Sequence, residues 1–164
     1  LSESSGLEYY TFFRAILHDG GEYGLGILSR YPIVSTSRKL LNSQGNEQRV
    51  LGKAVIDVDG EKINFFVTHL SYEDMTLNAS QTATVIKELR ETEGNFILTG
   101  DFNAGPDSPA IKILCENSAY PMVDCTAELG GTFHAYSPNM HGKIDYIFTS
   151  HIARALHLGD YTFV

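Results

Sequence analysis

Basic residues are in short supply. The 164-residue chain has 12 Lys and Arg against 20 Asp and Glu, a formal charge of −8. A protein that grips nucleic acid through a broad cationic surface needs the opposite balance. The shortage leaves room for a local phosphate site built around a divalent cation, which brings its own charge. Cys115 and Cys125 are too few and too close for a disulfide framework. Free, buried thiols are expected, with the redox compartment undecided. No apolar run has the length of a membrane-spanning helix and no signal peptide is recognisable, so the compartment stays open, with the cytoplasm slightly favoured. Internal repeats, low-complexity tracts and linker-like stretches are also missing. What remains is 43% hydrophobic, which is ordinary for a folded protein and argues against disorder. A single domain over residues 1–164 is expected, long enough for a real core.

The most informative stretch is Thr99-Gly-Asp-Phe-Asn-Ala-Gly-Pro106. Before it, residues 95–99 form a short apolar run of the kind buried in a sheet. After it, Asp107-Ser-Pro109 marks a helix start, with a capping side chain and Pro at the first helical position. Asp101 and Asn103 thus sit at the end of a buried strand, and an i, i+2 pair on extended backbone points both side chains the same way. The carboxylate can orient a water or hold a metal, and the amide can stabilise an oxyanion. Asp-x-Asn also caps ordinary turns, and the triplet alone does not decide between the two.

Other stretches frame this one. Phe12–Leu17 reads as a strand, His18–Gly21 as a turn, and Tyr23-Gly-Leu-Gly-Ile-Leu-Ser-Arg-Tyr-Pro-Ile33 as a short strand ending in a bend. Residues 39–47 are polar and read as an exposed loop. Val50–Val58 and Lys62–Leu70 are β-rich runs joined by Asp59-Gly60, a strong hairpin signal. The second run closes on Thr68-His69-Leu70; a histidine at a strand end is more often structural than catalytic. Residues 72–93 read as a helix, with Leu77, Val85, Ile86 and Leu89 on one face. A short helix through Ile111, Ile113 and Leu114 and a short strand at Met122–Cys125 follow, with Asp124 structural. His134 and His141 lie in a loop at which a site could open. Finally, Gly142-Lys-Ile-Asp-Tyr-Ile-Phe148 reads as an apolar strand holding one carboxylate, Asp145. Such a carboxylate is costly unless backbone donors satisfy it or it faces a polar cleft.

Three of these segments together resemble the endonuclease/exonuclease/phosphatase family, the DNase I-like phosphoesterases. They are the Tyr23–Ile33 run, Gly100-Asp-Phe-Asn-Ala104 and Lys143-Ile-Asp-Tyr-Ile-Phe148, with Thr68-His-Leu70 in its expected place. The resemblance implies an α/β (α+β) fold, a DNase I-like two-sheet β-sandwich flanked by helices. It also implies hydrolysis of phosphodiester or phosphomonoester bonds with Mg²⁺ or Mn²⁺. Asp101 would activate the attacking water and touch the metal. Asn103 would bond a phosphoryl oxygen, and His69 would contact the phosphate or protonate the leaving group. Asp145 would orient a second histidine.

The sequence departs from that pattern in ways that matter. Family members carry a Gln-Glu before the Tyr23 run, whose Glu is the main metal ligand, and a closing Ser-Asp-His. Glu3, Glu8 and Glu22 have no Gln before them, and His151 lacks the Asp. Gly159-Asp-Tyr161 resembles the strand ahead of the Ser-Asp-His loop. Many relatives also have an Arg near the start of the long helix, where this chain has Asn78. The expectation is therefore a partial domain, incomplete at both ends, with an exposed sheet edge, a tendency to self-associate and weak or no activity. Substrates consistent with the resemblance are nucleic acid, nucleotides, inositol phosphates and phospholipid headgroups. Two other readings stand beside the enzyme: a non-catalytic relative that binds, and a different metal hydrolase using His69, His134 and His141.

Overall fold

The computed structural model describes residues 2–116 and 122–150; His151 and the Gly159–Tyr161 stretch lie outside them. After a four-residue helix, α1 (Ser2–Ser5), the chain forms a hairpin of β1 (Tyr9–His18) and β2 (Gly21–Ser29). Then come β3 (Ile33–Leu40), β4 (Val50–Val58), β5 (Glu61–His69), helix α2 (Met75–Arg90) and β6 (Phe96–Asp101). Helix α3 (Pro109–Glu116), β7 (Met122–Asp124) and β8 (Asp145–Ser150) complete the described order. β1 and β2 make a two-stranded sheet, and the rest make a six-stranded sheet in the order β3-β4-β5-β6-β8-β7. Its strands pair antiparallel except β5 with β6, which are parallel and joined through α2.

Strand periodicity sorts the side chains into two layers. Leu51 and Phe66 point to one face, where Val85, Ile86 and Leu89 of α2 and Ile111 and Leu114 of α3 close a core around Phe96, Leu98, Phe102, Tyr146 and Phe148. Val50, Ala54 and Ile56 point to the other face and meet Phe13 and Ile27 of the small sheet. Gly52 is what lets Phe13 settle there, because a Cβ at residue 52 would fall 2.2 Å from its ring.

Local chemistry explains the boundaries. Asp59 (φ 54°) and Gly60 (φ 95°) form a two-residue turn between the paired Val58 and Glu61, the backbone twist a tight hairpin requires. Asp74 caps α2, its Oδ1 accepting from the Thr76 and Leu77 N–H groups at 2.7 and 2.8 Å. That cap starts the helix at Met75 rather than at residue 72. Ser108 caps α3 through the Ile111 N–H at 3.3 Å, with Pro109 at the first helical position.

Three expectations need correction. Residues 33–40 form an edge strand, β3, hidden in the sequence because its side chains are nearly all exposed and polar, and buried Leu41 closes it. Asp145 opens β8 rather than lying inside it, so its half-buried carboxylate sits at a strand end. Cys115 and Cys125 are free but exposed, not buried.

Gly100 sets the distance between β5 and β6. A Cβ there would lie 2.0 Å from the Thr68 carbonyl oxygen, a backbone atom of the neighbouring parallel strand that no rotamer can move. Gly100→Ala is expected to cost about 3 kcal/mol, as overpacking against a fixed neighbour does. Urea denaturation of the two proteins checks this.

Candidate active site

Three strand ends meet at one end of the large sheet. His69 is the last residue of β5 and pairs in register with Asp101, the last residue of β6. Asp145, the first residue of β8, pairs with Asp101 from the other side. Three chemistry-bearing residues, distant in sequence, therefore occupy neighbouring positions on three adjacent strands. His69 Nε2 stands 3.7 Å from Asp101 Oδ2, too far for a hydrogen bond.

Asn103 reaches the same place by a different route from the one its spacing implies. It lies beyond the strand with φ 47°, and its backbone N–H donates to Asp101 Oδ1 at 2.8 Å. The Asp-x-Asn triplet is thus a side-chain-closed turn, not an i, i+2 pair on extended backbone. The Asn103 Nδ2 amide donates to the Leu70 carbonyl at 2.8 Å, which ties the loop after β6 to the loop after β5. Phe102, fully buried between them, packs edge-on against Tyr146 and Phe148 with ring centroids 5.5 and 5.3 Å away. Asn78 adds a second tie: its buried Nδ2 donates to the Ser71 and Phe102 carbonyls at 2.7 and 2.8 Å.

Sequence reading missed Arg49. It precedes β4, where the apolar run drew attention to Val50 onward, and its side chain is 3% exposed. Its Nη1 lies 3.1 and 3.2 Å from the two ring nitrogens of His69, 2.8 Å from Glu47 Oε1, and its Nη2 is 3.7 Å from Glu73 Oε1. The sequence signal was an arginine at the end of a polar stretch, directly before a buried strand, which is weak. His134 and His141 are exposed in the loop before β8. His134 is edge-on to Tyr136 at 6.2 Å. Among the described residues no group of three or more His, Cys, Asp or Glu side chains gathers to hold a metal, which leaves the three-histidine arrangement without support. Glu22 is paired with Arg14 at 3.0 Å on the exposed hairpin, and Asp124 is spent on Lys143 and Thr126.

Burial sets the electrostatics. It pushes the His69 pKa below its ordinary value, and the Arg49 cation adds to that against the opposing pull of Asp101. Burial pushes Asp101 the other way, upward, with Asp145 contributing, against the Asn103 N–H and His69. Both shifts disfavour a His69 cation facing an Asp101 anion, so the 3.7 Å contact is not a closed ion pair. Glu73 is held below its ordinary range: burial opposes this, but the Ser71 hydroxyl, backbone N–H groups and Arg49 prevail.

The donor set fits a hard divalent cation. Asp101 and Asp145 bring two carboxylates to neighbouring register positions, and Mg²⁺ is commonly held by one or two carboxylates together with waters and substrate phosphate. A cleft of about 250 Å³ opens beside them, lined by Gly100, Thr126, Leu129, Thr132 and Ile147. A larger one, about 370 Å³, lies between β3 and the end of α2, but it contains none of these residues and its Lys39 is already paired with Glu88.

A helix-flanked, two-sheet fold of this kind is the DNase I-like architecture. The chain belongs to the endonuclease/exonuclease/phosphatase family, which it matches over residues 2–161. Solved structures agree on the fold. A mannosyl-6-phosphatase of Bacteroides thetaiotaomicron superposes with a TM-score of 0.74 at 22% identity, over 90% of this chain and 65% of that one. The human Nocturnin catalytic domain, with a bound sulfate, gives 0.68 at 19% over 91% and 63%. Sphingomyelinase C of Streptomyces griseocarneus gives 0.65 at 16% over 92% and 64%. The chain thus spans a little under two thirds of each of these structures.

A raised Asp101 pKa means that the folded protein holds this proton more tightly than the unfolded chain does. Its favourable contribution is complete below the unfolded pKa and lost as pH rises through the folded one, so the ionised group costs stability at neutral pH. Asp101→Asn is therefore expected to raise the melting temperature by a few degrees at pH 7, with a gain that shrinks as pH falls towards 4. Thermal unfolding at several pH values measures it.

Proposed function

We propose that this chain carries the catalytic centre of a divalent-metal-dependent phosphoesterase, which cleaves phosphodiester or phosphomonoester bonds by in-line attack of water. The observation that supports this most is the register of His69, Asp101 and Asp145 on adjacent strands, with Asn103 folded back onto Asp101. A reaction of this kind needs an aligned water, neutralisation of charge on the phosphoryl oxygens and help for the leaving oxygen.

Asp101 has one oxygen engaged by the Asn103 N–H and the other turned towards His69. The second oxygen orients the water and takes its proton. Asn103 has given one amide hydrogen to Leu70 and keeps the other for a phosphoryl oxygen. His69, neutral at the site, donates a ring N–H to the phosphate, and the anion's arrival favours the protonated ring that can serve the leaving oxygen. Asp145 is placed to hold and orient a neighbouring group. Mg²⁺ or Mn²⁺ would be held by Asp101 with Asp145 close by, and would supply charge neutralisation at the phosphate.

Four carboxylates, Asp101, Asp145, Glu47 and Glu73, surround this end of the sheet against the single guanidinium of Arg49. That balance favours a small phosphate ester, such as a nucleotide, an inositol phosphate or a phospholipid headgroup, over a long nucleic acid. A binding role is the second reading, in which the same strand-end residues hold a phosphate without cleaving it.

The test is hydrolysis of a simple aryl phosphodiester with Mg²⁺. Slow turnover is expected, abolished by EDTA and reduced by at least about 100-fold in Asp101→Ala, the scale of losing a positioned general base. Well-folded protein without any turnover would overturn the hydrolytic reading and leave the binding one.

A further inference from the structure

Arg49 takes no direct part in the hydrolysis, yet it is the most buried basic side chain among the described residues. Its Nη1 is almost equally far from Nδ1 and Nε2 of His69, at 3.1 and 3.2 Å. A point in the ring plane at those distances from both nitrogens would collide with Cε1–H on one side or with Cγ and Cδ2 on the other. The guanidinium nitrogen therefore lies over the face of the imidazole with an N–H directed at the ring, a placement set by the rigid guanidinium fork that a flexible Lys ammonium does not reproduce. His69 Nε2 stands 3.7 Å from Asp101 Oδ2.

Arg49 is itself clamped. Glu47 and Glu73 hold its two terminal nitrogens, and the Tyr72 ring centroid lies 5.9 Å from Cζ. Glu73 is fixed in turn by the Ser71 hydroxyl at 2.6 Å and the Tyr72 N–H at 3.0 Å. The Arg49 carbonyl accepts from the Leu41 N–H at 2.9 Å, which pins the backbone where β4 begins. Among the described residues its buried Nε has no hydrogen-bond partner. Buried donors are seldom left unmet, so the plane is placed at some cost to its own hydrogen bonding.

We propose that Arg49 is a positioning residue acting through His69: its clamped guanidinium directs an N–H at the imidazole face and so presents the ring edge to a phosphate held at the site. The geometric part stands without any reaction; the kinetic part rests on the phosphoesterase reading. Both are tested in the full chain with histidine labelled in the ring, the His69 signal being assigned by its loss in His69→Gln. In the native protein, ¹³C relaxation is expected to show the His69 ring as ordered as the β5 backbone. Arg49→Met is expected to loosen the ring while the β5 backbone stays ordered. Arg49→Lys, which keeps the charge but not the plane, is expected to loosen it too. In turnover, Arg49→Lys should lower kcat by about 10- to 100-fold, the usual effect of losing a group that orients a reacting one, with KM little changed.

A mobile ring in the native protein overturns the proposal, whether or not Arg49→Met folds. So does a ring equally ordered in Arg49→Lys, or a raised KM with unchanged kcat, which would make Arg49 a substrate contact. An ordered ring that loosens in the variants, in a protein with no turnover, upholds the positioning role and overturns the hydrolytic reading alone.

Discussion

The site depends on how closely β5 and β6 approach at Thr68 and Gly100. Parallel strands deliver their last residues to the same end of a sheet, and here those residues are His69 and Asp101. Any side chain at residue 100 would push against the Thr68 carbonyl and part the strands one residue before the two groups that must meet. The requirement for glycine is local, but its consequence is chemical. The loops beyond these strands are then tied to each other by amides rather than by packing alone: Asn103 reaches the Leu70 carbonyl, and Asn78 spans Ser71 and Phe102. Below them the rings of Phe102, Tyr146 and Phe148 fill the core without polar atoms left over, since the Tyr146 hydroxyl donates to the Ala104 carbonyl at 2.9 Å.

Charge at the sheet end works against the fold that displays it. Asp101 and Asp145 are held side by side, partly out of water, and His69 is kept from the protonated state that would compensate them. Elsewhere the protein resolves such conflicts locally. Lys143, nearly buried, is matched by Asp124 and by the Thr126 hydroxyl at 2.9 Å, and the set closes on itself. The contrast between these two clusters separates a structural ion pair from a reactive site. One has its partners inside the protein, and the other is left short of them, which accords with the proposal that a cation and a phosphate complete it.

Much of this was legible in the sequence, for physical reasons. The Asp59-Gly60 hairpin, the α2 face of Leu77, Val85, Ile86 and Leu89, and the strand before Asp101 all follow from periodicity and turn chemistry acting over a few residues. The fold class came from three motifs whose order along the chain is more specific than any one of them. What could not be read was whatever tertiary contacts decide. β3 has no buried face to leave a pattern, being held as an edge by its ladder to β4. The sequence puts Asn103 on extended backbone beside Asp101, whereas the structure folds it back in a closed turn, because Asp-x-Asn suits both. Arg49 left almost no trace, since its role comes from His69 and Glu73, which lie far along the chain from it.

The position of Arg49 also bears on why His69 can be useful where it is. A histidine at an exposed strand end would turn freely and carry a proton part of the time near neutrality. Burial alone would quieten the ring but also starve it of partners. A cation laid over the face avoids both outcomes: it occupies the side of the ring that does no chemistry and leaves the edge, where the proton and the hydrogen bond reside, open towards Asp101. The acidic residues Glu47 and Glu73 then have a structural reason to stand beside a phosphate site that their charge would otherwise oppose, because they hold the guanidinium in place. The negative charge around this sheet end is thus partly scaffolding for Arg49, and under the proposed function the part that faces a substrate is carried by Asp101 and Asp145.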